Sequence, residues 1–398
     1  MMDNELIKKV ADELESYVIE TRRYLHTIPE ISGEEFKTRA FLIEKIKEAG
    51  LPNEEVEDST GLIAVLDTGR PGPHIALRSD IDALPMPEEP NNLAHPRTCI
   101  SGTPENRCHA CGHDGHMAML LGSMKALAEH KDQLNGIIYF CFEQGEEVGG
   151  GIQQMIRALS KYEIDTVWGI HVYAGLASGK VSVQPGPRMA GALGINFDFL
   201  GKGGHGSTPS DAINPMPIAC MVGTAINQIK PEKISPIHGT TVTVSYIHGG
   251  QYPNIIPGEC VLGGNIRVLD NDDIPIIMNN IEKIARGICE AWGAECEFSS
   301  VIGYPATINA AEPTAIVRSV VEELGYEPIR TNPSLGAEDF SYFTLEKPSC
   351  YYNVGGANPD IPATYSPHHS KTFMLDEDML DIALECEIGV YLKATGQA

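Results

Sequence analysis

The chain has 398 residues, 42% of them apolar, and a formal charge of -25 at pH 7. That length suits two domains with full cores, and the acidic excess argues against nucleic acid and anionic membrane surfaces as partners, since both would be repelled. The first residues, MMDNELIKKVADELESY, are charged and lack an apolar signal core, and no stretch approaches the roughly 18 uninterrupted apolar residues of a membrane span. A cytoplasmic setting with reduced cysteines is therefore expected.

Leu6, Ile7, Val10, Leu14, Tyr17, Val18, Tyr24 and Leu25 recur at helical spacing and predict an amphipathic helix over 3–26. Ser32 with Glu35 reads as a capping box for the next helix, which stops at Gly50. Two short apolar runs, 61–67 and 74–80, predict strands, and the second empties into a Pro-rich loop that places Asp80 and Asp82 just beyond a strand end. Residues 88–107 are polar and aperiodic and read as a surface loop.

Cys108 to His116 then reads CHACGHDGH: two thiols, three imidazoles and a carboxylate within nine positions. These are the side chains that donate to zinc and other divalent ions, and Gly112 and Gly115 let the backbone turn between them. The apolar run that follows predicts a helix, so the cluster sits on the loop entering it. A closed structural zinc site using Cys99, Cys108, Cys111 and His113 is the competing reading.

Downstream, 136–143 reads as a buried strand followed by the adjacent carboxylates Glu146 and Glu147, and 166–172 as another strand with His171 at its end. A metal hydrolase needs one carboxylate as a ligand and another, unligated, as a general base, which a Glu–Glu pair can supply. Strands alternating with helices predict a doubly wound α/β sheet, which binds ligands beyond the carboxyl ends of its strands. From about 190 the rhythm changes to βαββαβ, a ferredoxin-like unit complete in itself, so it reads as an inserted α+β domain. The α/β pattern resumes afterwards and brings His368 and His369 before a last helix. Domain bounds of 1–187, 188–302 and 303–398 follow, the first and last forming one domain. The turn GKGGHGST lacks the Lys-Ser/Thr adjacency of a phosphate loop and presents His205 instead.

RRYLHTIPEIS, RSDIDALP, HACGHDGHMAMLLG, FEQGEE, GIHV, GKGGHGSTP, NIIPGECVLGGNIR, GAEDF and His369 with Ser370 occur in order along nearly the whole chain. Taken together they resemble the metal-dependent amidohydrolase and metallopeptidase family of hippurate hydrolases, N-acyl-amino-acid amidohydrolases and auxin-conjugate hydrolases. The resemblance implies an α/β catalytic domain with an inserted lid or dimerisation domain, and two divalent ions per subunit (Mn, Zn, Co or Ni) on Cys111, His113, Glu147, His171 and His369. It further implies Glu146 as general base with Asp82 in support. His205 would act on the oxyanion from the partner subunit of a homodimer or higher homo-oligomer, and Asn254 and Arg267 on the substrate's α-carboxylate. The implied substrate is a small N-acyl amino acid, cut at its amide into a carboxylic acid and an amino acid. A dipeptidase and a metal-containing but inactive binding protein are the alternatives. Whether Asp80 or Cys108 touches a metal is left open by the motifs.

Overall fold

The computed structural model describes residues 4–92, 95–96, 101 and 106–397. Two compact units emerge from the chain, residues 1–186, 308–332 and 342–398 in one and 187–307 with 333–341 in the other. The short return of 333–341 to the second unit carries no periodic apolar signal and is absent from the sequence reading.

The first unit is built on an eight-stranded sheet. Its order is Asn53–Glu55, Leu62–Asp67, Ile137–Glu143, His74–Asp80, Thr166–Ala177, Ser349–Ala357, Lys180–Ser182 and Glu327–Ile329. Its centre is parallel, from Ile137–Glu143 through Ser349–Ala357. Antiparallel pairs begin on either side, at Leu62–Asp67 and Lys180–Ser182. The central strands are buried almost throughout, as a parallel sheet covered on both faces requires.

Helices Asn4–Thr27, His113–Glu129 and Met379–Ala394 pack on one another and share one apolar core with the sheet. His113–Glu129 and Met379–Ala394 are buried nearly all round, which their continuous apolar sequences foretell. Gly122 marks the tightest approach, since a Cβ there would lie 2.7 Å from Val18 and 3.1 Å from Leu384.

The second unit has the order βαββαβ: Gly191–Leu200, Pro215–Ile226, Thr240–His248, Glu259–Val268, Asp273–Trp292 and Glu295–Tyr304. Its four strands are antiparallel, with Gly191–Leu200 and Glu259–Val268 central, as in a ferredoxin-like unit. Side chains such as Leu193, Phe197, Val222, Leu262, Ile277 and Ile281 form a separate core. No helix among the described residues is long and apolar enough to cross a membrane.

Two local expectations fail for identifiable reasons. Ser32 and Glu35 form no capping box: the Ser32 hydroxyl donates to Asp82 Oδ2 (2.6 Å), and Glu35 accepts from Thr60 Oγ1 (2.7 Å). The helix Phe36–Glu48 therefore starts without a side-chain cap. The strand carrying His171 continues to Ala177, so this histidine lies in mid-strand. Continued pairing to Ser349–Ala357 sustains the strand past the point predicted.

One buried carboxylate is a liability. Glu387, in the helix Met379–Ala394, accepts a 2.5 Å hydrogen bond from Ser123 Oγ, yet burial pushes its carboxyl up to about 7. A carboxyl raised on folding contributes stability that is full below its ordinary value near 4.5 and lost as pH rises through about 7. Glu387→Gln should therefore raise stability at pH 8 by roughly 1 to 3 kcal/mol, with the gain vanishing below pH 5. Denaturant melts at the two pH values check this, and an equal effect at both would contradict it.

Candidate metal centre

The site is assembled at the carboxyl ends of the parallel strands, where the sheet opens. His74–Asp80 pairs with Thr166–Ala177 from Ile75↔Thr166 to Arg78↔Gly169, and then turns away into the loop carrying Asp82. Into this opening the loop before helix His113–Glu129 delivers Cys111, and the first turn of the helix delivers His113 and His116. Gly112 makes the delivery possible: it sits at φ 95°, and a Cβ on it would lie 2.4 Å from Val172 Cγ1.

Each histidine ring is oriented by a hydrogen bond that decides which nitrogen faces the site. His113 Nδ1 is 3.0 Å from the Asp82 carbonyl oxygen and 3.1 Å from Asp82 Oδ1, and a carbonyl can only accept. The proton is thus assigned to Nδ1, leaving Nε2 bare, and this buried Nε2 has no hydrogen-bond partner among the described residues. In His171, Nδ1 donates to the Val172 carbonyl, and Nε2 faces Cys111 Sγ at 3.4 Å. Burial, followed by the neighbouring His116 and His368, holds His171 well below its ordinary pKa, so it is neutral and a ready donor.

The carboxylates come from tight turns. Glu146–Val148 is a single 3-10 turn bounded by Gly145 at φ 70° and Gly149 at φ 63°. Ligand-type atoms of His113, Glu146 and Glu147 lie within 4.8 Å of one another. Glu147 Oε1 is 3.3 Å from His369 Nε2, and His369 is itself at φ 57° with its N–H bonded to the Ala110 carbonyl. Asp82 ties these parts together. Its Oδ1 meets His113, while its Oδ2 accepts from Ser32 and from the Glu147 N–H at 3.1 Å. Burial would raise the Asp82 carboxyl, but its hydrogen bond and charge contact with His113 and the Ser32 hydroxyl hold it below the usual range.

Two donor triads result, Cys111–His113–His171 and Cys111–Glu147–His369, with the Cys111 sulfur common to both. This is what a pair of divalent ions requires: soft and borderline donors, two bare imidazole nitrogens and a shared anion. Burial raises the Cys111 thiol, so its thiolate form calls for a cation beside it. All five sequence-predicted ligands are thus brought together, with Glu146 and Asp82 among them.

Asp80 has a different role. Its Oδ2 accepts from Arg78 (2.9 Å) and its Oδ1 from His116 Nδ1 (2.7 Å), while Arg78 also donates to Glu143 (2.7 Å). Asp114 likewise turns away from the donors, to His26 (2.7 Å) and Arg22 (2.8 Å), anchoring the first helix. Cys108 is buried in the apolar core. The closed structural site on Cys99, Cys108, Cys111 and His113 is not tested, because Cys99 and much of the 88–107 loop lie outside the described residues.

In the second unit, His205 pairs with Ile255 in a two-residue ladder, and the Gly206 N–H bonds to the Asn254 carbonyl, so His205 and Asn254 are neighbours. His205 Nδ1 accepts from the Ser207 N–H (3.1 Å) and lies 2.7 Å from the Ser207 hydroxyl. A backbone donor at Nδ1 places the ring proton on Nε2, pointing outward. Arg267 stands apart. It is eight residues along the strand from Glu259, roughly 26 Å at the rise of a strand, and is paired with Ala192 and Thr241 at the far end of the sheet.

The sequence profile of "Peptidase family M20/M25/M40" matches residues 76–385. The chain is 35% identical over 385 residues to thermostable carboxypeptidase 1 of Saccharolobus solfataricus, covering 95% of each. It is 35% identical over 312 residues to the N-acyl-L-amino acid amidohydrolase of Geobacillus stearothermophilus, covering 78% of this chain and 83% of the relative. Identity to N-acetyl-L-cysteine deacetylase of Bacillus subtilis is 32% over 364 residues, covering 92% and 85%. A crystal structure from methicillin resistant Staphylococcus aureus superposes with a TM-score of 0.92 at 30% identity, covering 99% and 100%. Bacillus subtilis YxeP, described as a dinuclear metal binding peptidase, superposes with a TM-score of 0.83 at 24% identity, covering 97% and 100%.

The approach of Gly112 to Val172 yields a test. Gly112→Ala should cost roughly 2 kcal/mol or more, from the left-handed backbone and the clash together. Urea unfolding midpoints measure it, and an unchanged midpoint would show that the loop can yield.

Proposed function

Because this chain belongs to peptidase family M20/M25/M40, we propose that it is a metal-dependent amidohydrolase that cuts N-acyl amino acids into a carboxylic acid and an amino acid. The observation that carries this reading is the pair of donor triads sharing Cys111, with an additional carboxylate, Glu146, in the same cluster. The names of the Geobacillus and Bacillus relatives supply the substrate class, and the description of YxeP supports two ions.

In this reading Cys111, His113 and His171 would hold one divalent ion and Cys111, Glu147 and His369 the other, drawn from Mn, Zn, Co or Ni. When bound, such ions act as Lewis acids that polarise the amide carbonyl and lower the pKa of water. The protein's part is proton handling and alignment. Glu146 takes the proton of the attacking water and passes it to the departing amine nitrogen. Asp82 keeps His113 in the tautomer with a bare Nε2 and fixes Glu147 through its N–H, so the ligand and the adjacent base stay separate.

The inserted domain supplies the substrate contacts. His205, with its Nε2–H outward, donates to the developing oxyanion, and Asn254 and Arg267 hold the α-carboxylate. Asn254 and Arg267 stand at opposite ends of one sheet, so a single copy does not bring both to one carboxylate. We infer that His205 serves the site of a partner subunit, which makes a homodimer the working unit.

The carboxypeptidase relative favours a second reading, in which the acyl group is a peptide. Both substrate classes carry a free α-carboxylate beside the scissile amide. Assay of N-acetyl and N-benzoyl amino acids beside dipeptides and longer peptides, with each metal added in turn, separates them; hydrolysis of peptides alone would overturn the amidohydrolase assignment. On the best substrate, Glu146→Gln should lower kcat by roughly 10²-fold or more with metal content intact. Unchanged turnover removes Glu146 from the mechanism. Arg267→Ala should weaken kcat/KM for the free acid by roughly 2 kcal/mol and have little effect on the corresponding amide. Equal losses on both would mean that Arg267 does not grip the carboxylate.

A further inference from the structure

His116 is the imidazole of the CGHDGH run that the chemistry above leaves unused. It is buried, and it lies within ligand distance of Asp80 and His113. Yet it has no lone pair to give. Its Nε2 accepts the backbone N–H of Val172 at 2.9 Å, which places the ring proton on Nδ1, and Nδ1 donates to Asp80 Oδ1 at 2.7 Å. Both nitrogens of the ring are thereby committed to hydrogen bonds, which leaves the group Asp80–His113–His116 without a donor nitrogen from His116.

The need for this ring arises from the sheet. The ladder between His74–Asp80 and Thr166–Ala177 ends at Arg78↔Gly169. Val172, three residues further on and 1% exposed, turns its N–H into the opening that this leaves. A buried N–H without an acceptor forfeits the hydrogen bond it makes to water in the unfolded chain, and His116 supplies the acceptor in place of a strand. The Val172 carbonyl receives His171 Nδ1. The backbone of one residue is therefore held by two rings. His116 also stacks on His113, with centroids 5.4 Å apart, and meets His171 edge-on at 4.5 Å.

We propose that His116 is a positioning residue: a neutral peg between Val172 and Asp80 that sets the direction of His171 Nε2 and so the affinity of the Cys111–His113–His171 triad for its ion. Asp80 is the floor of that peg, held in turn by Arg78 and Glu143. The proposal rests on the two-triad reading given above and adds that the triads fail separately when His116 is changed.

Calorimetric titration of chelator-treated protein with Mn²⁺, together with hydrogen exchange at the Val172 amide, provides the test. The natural protein should bind two ions and protect Val172. His116→Ala should weaken one of the two ions by about 10- to 100-fold, leave the other unchanged, and deprotect Val172. His116→Gln, whose amide can accept from Val172 and donate to Asp80, should recover most of both. If His116→Ala does not fold, His116→Asn replaces it, since it keeps a donor for Asp80 but is too short to reach Val172. Unchanged affinities with Val172 still protected, or equal weakening of both ions, would overturn the proposal. If the natural protein takes up no Mn²⁺, Zn²⁺ or Co²⁺, it is the two-triad reading that fails, and with it the role assigned to His116 in metal affinity. Val172 protection would then still report on the peg itself.

Discussion

A parallel sheet must part its strands to make room for chemistry, and every strand that parts leaves peptide groups without a ladder. In this protein the parting falls between Gly169 and Val172, and imidazole rings replace the missing strand. Each ring that satisfies a peptide group or a carboxylate with one nitrogen has its other nitrogen decided as well. Backbone accounting and ligand orientation are thus one constraint here. His113 and His171 each have an Nδ1 proton directed to a carbonyl oxygen, which turns Nε2 toward the site.

Beneath them lies a run of alternating charge, Glu143, Arg78 and Asp80, almost wholly removed from water and ending on His116. Breaking such a run leaves an uncompensated buried charge, which is far more costly than its presence is stabilising.

Much of this was legible in the sequence. The apolar runs ending in Asp80 and Glu143 gave strands with acidic ends, and the CGHDGH run gave the ligand loop, because residue type and local periodicity carry that information. The division of labour inside the run was not legible. Nothing about His116 or Asp114 in one dimension distinguishes them from His113; only the position of Val172, 56 residues on, and of His26, 88 residues back, commits them elsewhere. Ser32 misled for the same reason: the spacing to Glu35 fits a cap, but Asp82 offers its hydroxyl a charged acceptor. The separation of Asn254 from Arg267 was hidden by their closeness in sequence, since a strand carries neighbours apart at its full rise per residue.

The strand Ser349–Ala357 has a consequence for how the protein comes into being. It lies between Thr166–Ala177 and Lys180–Ser182, two segments joined by a two-residue turn, and all nine of its residues are buried. On the ribosome the slot it fills is synthesised about 170 residues earlier, so at 5–20 residues per second it stands open for roughly 10 to 35 seconds. For that interval the nascent chain exposes two unpaired strand edges and their apolar faces, while the ferredoxin-like unit, nearly continuous in sequence, can close on itself. The first unit is therefore the one whose completion waits on the end of synthesis, which follows from its topology rather than from its final stability.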